Sequence, residues 1–217
     1  MLNKQTGNMY PFVTHTWNPI RGKCPHGCVY CYMKVFPQQA LRLDEKSLKD
    51  DLGSGNYIFV GSSTDMWCED VPERWIIAVL NTSRNFPDNT YLFQSKNPKR
   101  FYNRHGTYPI TYLIATTIET NRTYPAVMKN APTPMIRKTA MVNLIARKTV
   151  TIEPIMDFDL PVMIEWITEI SPEFVSIGAD SQRNHLPEPP PDKIRALIEE
   201  LGKITQVKQK DNLKRLL

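Results

Sequence analysis

Five short runs of β-branched and aromatic residues recur along the chain, and their spacing limits the fold more than any other feature of the sequence. The runs lie at residues 57–60, 91–93, 112–114, 149–152 and 174–177. Continuous apolar runs of this length are typical of strands that are buried on both faces. Their first residues are 34, 21, 37 and 25 positions apart, which leaves room for a helix between most pairs. The spacing therefore predicts repeated βα units and a parallel sheet.

The segments between these runs carry the periodicity of amphipathic helices. Apolar residues fall on one helical stripe over 162–170 and on another over 194–201. The stretch Asp70-Val-Pro-Glu73 is typical of a helix N-terminus, with Asp70 as the capping residue, and predicts a helix that continues through Leu80. We also predict a helix over 135–146 and a last short strand over 204–207.

No Gly/Ser linker and no internal repeat divides the 217 residues, so we expect a single domain over residues 1–217. Residues 1–35 would form an N-terminal segment with a cysteine loop, and residues 57–208 would contain the repeated units. Six or seven parallel βα units favour an α/β partial barrel of the TIM type over a flat doubly wound sheet.

Composition restricts the compartment and the class of partner. The formal net charge is +5, which is compatible with a phosphate-bearing partner but does not require one. The basic stretch at 203–214 is interpreted as a solvated face. No apolar run approaches the roughly 18 residues that a membrane span needs, and the first residues do not resemble an export signal. We therefore expect a cytoplasmic protein whose thiols stay reduced.

Polar residues follow most of the predicted strands. They lie in Ser62-Ser63-Thr64-Asp65, Gln94-Ser95-Lys96, Thr116-Thr117-Ile118-Glu119, Glu153-Pro154 and Gly178-Ala179-Asp180. The carboxyl ends of parallel strands meet at one edge of a sheet, where α/β proteins bind their ligands. The sequence thus predicts a site there for a polar, charged ligand such as an amino acid or a nucleoside derivative.

Three of the four cysteines lie in eight positions, as Cys24-x3-Cys28-x2-Cys31. Three thiolates can hold three iron corners of a 4Fe-4S cluster and leave the fourth iron open to a ligand from outside the chain. Two alternatives stay open. One is a zinc site completed by Cys68, His26 or His15, and the other is a redox dithiol formed by Cys28 and Cys31.

The cysteine spacing, with the aromatic Tyr30 before the last cysteine, resembles the signature of the radical SAM superfamily. Looser similarity to a phage- and bacteria-borne branch of that superfamily extends over Thr16–Cys24, Gly61–Asp65, Ser95-Lys96, Thr117–Glu119 and Ile152–Pro154. The resemblance implies a partial barrel that uses a 4Fe-4S cluster to cleave S-adenosylmethionine reductively, and a 5'-deoxyadenosyl radical that abstracts hydrogen from a substrate. It implies no particular substrate.

The resemblance also implies roles for individual residues. Cys24, Cys28 and Cys31 would be the cluster ligands, and Tyr30 would lie near the adenine. Ser62 and Ser63 stand where many such enzymes have a glycine-rich turn with a glutamate that holds the methionine amino group. Thr117, Glu119 and Glu153 would contact the ribose and methionyl groups, and Gly178 would allow close backbone approach to the adenine. Candidates for contact with the substrate are Asp65, Lys96, Arg122 and Asp180.

Only Cys68 remains outside the loop, so this chain cannot build a second all-cysteine 4Fe-4S cluster. An external donor of the flavodoxin or ferredoxin type is therefore expected, docking near Arg21 and Lys23. A nucleoside, a nucleotide or a nucleic acid is the expected substrate class. The alternatives are a zinc-stabilised nucleic-acid-binding module and a barrel that binds the cofactor without catalysis.

Overall fold

The computed structural model describes residues 1–5, 9–102 and 106–217, and most of its strands belong to one eight-stranded sheet. The strands are β1 Leu2–Lys4, β2 His15–Trp17, β3 Ile20–Arg21, β4 Arg42–Leu43, β5 Tyr57–Val60, β6 Thr90–Ser95, β7 Tyr112–Thr117, β8 Lys148–Ile152, β9 Phe174–Ile177 and β10 Gln206–Gln209. The sheet order is β1-β2-β5-β6-β7-β8-β9-β10. Strands β2 to β10 of this order pair in parallel, and β1 pairs with β2 antiparallel. The predicted α/β class with a mostly parallel sheet is confirmed.

Helices separate most of the strands, with some boundaries that differ from prediction. They are α1 Glu73–Arg84, α2 Pro125–Met128, α3 Pro134–Asn143, α4 Leu160–Ile170 and α5 Pro191–Gly202, with 3-10 turns at Tyr32–Val35, Ser47–Lys49, Pro98–Phe101 and Asp211–Leu216. The prediction of Asp70 as a cap was wrong, because α1 begins at Glu73 with Pro72 in the capping position. Helix α3 ends at Asn143 rather than at 146, and the last strand starts at Gln206 rather than at 204.

Aromatic contacts on the inner face show that the sheet is strongly curved. The Phe12 ring lies 5.0 Å from the Tyr57 ring of β5 and 5.2 Å from the Phe174 ring of β9. In a flat sheet these strands, four positions apart in the order, would be about 19 Å from each other. The sheet therefore bends into an incomplete barrel, in which β1 and β10 are not paired with each other among the described residues.

Side chains alternate between the two faces of each strand, and the two faces have separate cores. Ile58, Phe93 and Val150 face the helices and belong to the larger core. The inner face carries a smaller cluster that consists of Tyr10, Val13, Phe59, Leu92, Leu113, Ala115 and Phe174. Because this cluster fills the inner face, the polar strand ends beyond it are left to form a cavity.

Strands β3 and β4 form a separate antiparallel pair whose long loop, residues 22–41, contains the three clustered cysteines. The two arms of the loop stay together beyond the strands, since Lys23 N donates to Gln39 O at 2.8 Å. Gly22 permits this approach. It has a φ of +107°, and a Cβ at this position would lie 2.3 Å from Ala40 O.

None of the helices among the described residues is long and apolar enough to cross a membrane.

Candidate active site

A cavity of about 950 Å³ lies at the carboxyl ends of the parallel strands. Its walls bring together most of the residues that the sequence singled out. Those that line it are Cys24, Cys28, Tyr30, Cys31, Ser62, Ser63, Asp65, Lys96, Thr117, Glu153 and Asp180. The expectation that polar strand ends converge on one site agrees with this geometry. Glu119, Gly178 and Arg122 are not among the lining residues.

The cysteine loop is held in tight turns against the barrel. Gly27 N donates to Cys24 O at 3.2 Å, and Cys31 N donates to Cys28 O at 3.3 Å. Val29 N also donates to Val127 O of helix α2 at 2.9 Å. All three cysteines of the loop have free thiols, and all three line the cavity. Their number, their chemistry and their common cavity fit the three-thiolate ligand set of a 4Fe-4S cluster with one open iron.

Cys68, distant in the sequence, lies beside the loop. Its Sγ is 3.8 Å from Cys24 Sγ, and its side chain is buried. The hydrogen bond from the Cys68 thiol lowers the pKa of Cys24 to about 6, against the opposing effect of burial. The same contact and burial raise the pKa of Cys68. Cys24 is therefore the member of the pair that favours the thiolate form needed for metal binding.

Asp65 connects the cysteine loop to the strand ends. Its Oδ2 lies 2.9 Å from His26 Nε2 and accepts hydrogen bonds from Ser95 Oγ and Lys96 N, each at 2.9 Å. Burial acts to raise the pKa of Asp65, but hydrogen bonding and charge from His26 lower it overall. This carboxylate is thus already engaged within the protein, and it positions the loop relative to β6.

His26, Asp65 and Cys68 also place one potential ligand atom each within 4.8 Å of one another. This arrangement bears on the zinc alternative, because imidazole, carboxylate and thiolate all bind Zn²⁺. In the structure, however, Asp65 Oδ1 accepts from Trp67 N at 2.9 Å while Oδ2 is used as described above. Zinc binding here would require the Asp65 carboxylate to give up hydrogen bonds that hold the loop.

A buried ion pair stands behind Tyr30. Arg137 Nη1 donates to Glu119 Oε2 at 2.7 Å, and both side chains are fully buried. Tyr30 Oη donates to the other oxygen of the same carboxylate. Burial acts to raise the pKa of Glu119, but the charges of Arg137 and Lys96 lower it overall. Glu119 therefore supports the wall formed by Tyr30 and does not itself reach the cavity.

Lys96 presents an ammonium group on the same wall. Its Nζ lies 5.2 Å from the centre of the Tyr30 ring, which is within the range of a cation–π contact. Burial acts to lower the pKa of Lys96, but the charges of Cys28 and Glu119 raise it overall. No described residue forms a hydrogen bond or an ion pair with Lys96 Nζ, so this charge is available to an anionic group of a ligand.

The opposite wall carries charges that are already paired. Lys210 Nζ lies 2.7 Å from Glu153 Oε2, and Asn212 Nδ2 donates to Glu153 Oε1 at 2.9 Å. A Cβ at Gly178 would lie 2.7 Å from Glu153 Oε1. Gly178 thus provides the space that the Glu153 side chain occupies, which is a second reason for a glycine there besides the expected contact with adenine.

Serine and aspartate residues order two loops at the cavity edge. Asn18 Oδ1 accepts from Ser63 N at 3.0 Å and from Ser62 Oγ at 3.2 Å. The Asp180 carboxylate accepts from Gln182 N at 3.1 Å and also from Asn184. Both loops are therefore held by hydrogen bonds within the protein before any ligand binds.

Arg122 lies apart from the other substrate-contact candidates. It forms ion pairs with Asp157 and Asp159 at the protein surface. Hydrogen bonding to Asp159 is the main cause that raises the pKa of Arg122. Its engagement in this surface network gives it a structural role in the described fold.

Sequence reasoning missed two cavity residues on the inner face, Tyr10 and Thr151, and it named Gln94 only as part of a polar strand end. Tyr10 Oη lies 2.6 Å from Thr151 Oγ1 and donates to Gln94 Oε1 at 2.8 Å. Tyr10 precedes the first parallel strand, so no strand-end pattern marks it. The alternation of β6 and β8 could have placed Gln94 and Thr151 on the inner face, because Gln94 shares a face with Leu92 and Thr151 shares one with Thr149.

Comparisons with known proteins gave matches among solved structures alone. No known family model matches the chain, and no curated protein matches it. Spore photoproduct lyase with bound AdoMet and dinucleoside spore photoproduct superposes with a TM-score of 0.61 at 10% sequence identity. Spore photoproduct lyase complexed with the dinucleoside spore photoproduct superposes with a TM-score of 0.60 at 9% identity.

Each of these alignments covers 92% of this chain and 64% of the other chain. The chain thus corresponds to just under two thirds of the length of these neighbours. At this level of identity the likeness shows a shared fold, a mostly parallel α/β sheet with helices in a single domain.

Proposed function

We propose that this protein is a radical SAM enzyme that acts on a nucleoside, a nucleotide or a nucleic acid. The observation that carries the proposal is the common cavity, in which three free cysteines of one loop face the polar ends of the parallel strands. The structural neighbours add support, since they are radical SAM enzymes and one of them holds both AdoMet and a dinucleoside.

Cys24, Cys28 and Cys31 would hold the 4Fe-4S cluster at one side of the cavity. When bound, the cluster supplies the electron for reductive cleavage of S-adenosylmethionine. The protein's own residues orient the reactants and exclude competing reactions. Tyr30, which is fixed by its hydrogen bond to Glu119, forms an aromatic wall of the cavity. Lys96 offers a positive charge to a carboxylate or phosphate group of a ligand.

The remaining cavity residues would contact the polar parts of the cofactor and substrate. Ser62, Ser63 and Thr117 line the cavity with hydroxyl and backbone groups. Glu153 and Asp180 line it with carboxylates whose first partners are Lys210, Asn212, Gln182 and Asn184 of the protein itself. The cavity volume of about 950 Å³ is at the upper end of the usual range for small-molecule sites. A cavity of this size suits a cofactor together with one substrate nucleoside.

Electrons would come from an external donor of the flavodoxin or ferredoxin type, in keeping with the cytoplasmic location expected from the sequence. The two cations expected near the docking site differ in their availability. Arg21 is already engaged, because its Nη2 lies 3.1 Å from Asp44 Oδ2 and its Nε donates to Asn18 O at 2.9 Å. Lys23, by contrast, is exposed.

The experiment that tests the enzyme class is anaerobic iron–sulfur reconstitution followed by EPR of the reduced protein, with and without S-adenosylmethionine. The same sample is assayed for 5'-deoxyadenosine. We expect a 4Fe-4S signal that changes when S-adenosylmethionine is added, together with 5'-deoxyadenosine. A changed signal without 5'-deoxyadenosine would instead indicate a barrel that binds the cofactor without catalysis.

A second candidate function is a zinc-stabilised nucleic-acid-binding module. It is favoured by the potential ligand group formed by His26, Asp65 and Cys68. Metal analysis of the protein as purified separates the two. One tightly bound zinc that resists replacement by iron and sulfide would favour the zinc module and overturn the enzyme proposal.

A further inference from the structure

The net positive charge of this protein comes from one part of the chain. Residues 1–43 contain five basic side chains, Lys4, Arg21, Lys23, Lys34 and Arg42, and no aspartate or glutamate. The other 22 basic and 22 acidic side chains lie in residues 44–217 and cancel. The whole formal charge of +5 therefore comes from the segment that contains the cysteine loop.

Two of these cations lie at the edge of the cavity. Lys23 and Lys34 are exposed and line the cavity, and neither is ion-paired with any described residue. The backbone hydrogen bond from Lys23 N to Gln39 O holds the two arms of the loop together. The carboxylates near the cysteine loop do not neutralise these two lysines, because Asp65 and Glu119 are buried and engaged with His26 and Arg137.

Residues 32–40, which we call the rim segment, also expose large apolar side chains. Tyr32 is 43% exposed, Val35 64% and Phe36 54%. Tyr32 Oη donates to Ser62 O at 2.9 Å, which ties the segment to the loop after β5. Exposed aromatic side chains beside unpaired lysines are the combination that binds unpaired nucleotides, through base stacking and phosphate contacts.

We propose that the rim segment, together with Lys23, binds single-stranded or locally unpaired nucleic acid and presents one nucleotide to the cavity. This inference rests on the proposed function. Lys23 and Lys34 contact backbone phosphates, and Tyr32 and Phe36 stack against bases next to the presented nucleotide. A second copy of the chain is disfavoured as the occupant, since two such segments would repel each other. The electron donor of the proposed function would also use Lys23, but its acidic surface leaves the exposed aromatic faces of Tyr32 and Phe36 without a role.

The test is fluorescence anisotropy of labelled 12-nucleotide oligothymidylate and oligouridylate with the reconstituted protein over a range of salt concentrations. We expect binding whose salt dependence becomes weaker in K23Q/K34Q, by about 0.7 in the slope of log Kd against log salt for each lysine. Phe36→Ala should weaken binding roughly tenfold through lost stacking. The DNA and RNA probes show which sugar the site prefers.

The matched controls are K203Q/K214Q, which removes the same charge at exposed positions of the C-terminal region, and Ile145→Ala, which removes a side chain that is 93% exposed. Both should bind the probes like the parent protein. Equal loss of salt dependence in the control double variant would overturn the proposal, because binding would then follow net charge alone.

Two further outcomes separate this inference from the enzyme class. A parent protein that forms 5'-deoxyadenosine but binds neither probe would overturn the inference and leave the proposed function standing. Rim variants that slow reduction by flavodoxin and leave probe binding unchanged would also overturn it, and would assign the rim to the electron donor. Probe binding that depends on the rim in a protein that assembles no cluster would support the inference alone.

Discussion

The two sides of the cavity differ in how their polar groups are used. On one side, the β3–β4 loop carries three free thiols and two lysines, and neither lysine is ion-paired with a described residue. On the other side, Glu153 is held by Lys210 and Asn212 and packs against Gly178. The first wall keeps its reactive groups available, whereas the second uses its charges internally. Unpaired groups at a cavity surface favour ligand binding at little cost to the fold, and paired buried groups make the fold depend on each partner. Variants on the two sides should therefore fail in different ways.

The largest expected effect is on the cysteine side. Cys28→Ala removes one of three cluster ligands, so we expect no stable 4Fe-4S cluster and no measurable 5'-deoxyadenosine formation, with the fold retained. Iron and sulfide analysis, EPR and circular dichroism are the measurements. A variant that still assembles a cluster with full activity would contradict the assignment of Cys28.

The buried pair that supports Tyr30 should give the largest loss of stability. Arg137→Ala leaves the buried Glu119 carboxylate without its ion-pair partner, which costs about 3–5 kcal/mol in the free energy of unfolding. Urea denaturation measures this loss. The control is Arg147→Ala, which breaks an exposed pair with Glu173 and should cost about 0–1 kcal/mol. Similar losses in the two variants would show that Glu119 and Arg137 are not a critical pair.

Glu119 should also make stability depend on pH. Its folded pKa is lowered below the ordinary value of 4.5, because Arg137 and Lys96 outweigh burial. The pair therefore contributes its full stability above pH 4.5, and this contribution is lost as the pH falls through the lower, folded pKa. Urea denaturation at several acidic pH values should show a flatter pH dependence for Glu119→Gln. If Glu119→Gln loses stability at acidic pH as the parent protein does, another carboxylate determines the pH dependence of the free energy of unfolding.

On the opposite wall, Gly178→Ala tests the packing against Glu153. The new methyl group would overlap a carboxylate that Lys210 and Asn212 hold in place, so we expect a loss of about 1–3 kcal/mol in the free energy of unfolding. Gly202→Ala is the control, because a Cβ there meets no atom within 4 Å. Thermal or urea unfolding of the two variants compares them directly, and a neutral Gly178→Ala would mean that Glu153 moves easily.

The smallest effect is expected at Cys68, which lies behind the loop. Cys68→Ala should keep the cluster but remove a thiol that lies 3.8 Å from Cys24 Sγ. Fewer hydrogen bonds to a cluster sulfur lower the reduction potential, so a shift to more negative values is expected in an EPR-monitored redox titration. Cys68→Ser, which keeps a donor, should shift less. Loss of the cluster in Cys68→Ala would instead indicate a four-cysteine site.

Much of the fold could be predicted because it depends on local patterns. The five apolar runs lie in β5 to β9, since continuous β-branched segments have few other stable arrangements in a chain of this size. Boundaries were less accurate. Asp70 resembles a helix cap, but the turn from Asp65 to Val71 is used to bury Trp67 and Cys68, so α1 starts at Glu73.

The candidate site was predictable to the extent that strand ends converge in any parallel α/β sheet. Which side chains face the cavity was less predictable. Glu119 and Gly178 follow strands as expected, but the structure places them behind Tyr30 and beneath Glu153. Lys210 lies in the basic stretch that was interpreted as a solvated face, yet its side chain is 9% exposed and pairs with Glu153.

The sequence by itself determined the βα repeat, the mostly parallel sheet and the loop of three cysteines, because each depends on residue types at short, regular spacing. Tertiary structure decided that Cys68 lies beside Cys24, that Arg137 pairs with Glu119, and that Phe12 joins β5 to β9 across the curved sheet. These contacts join residues 18 to 162 positions apart. Their pairing depends on sheet curvature and loop packing, and no local pattern of residues encodes either.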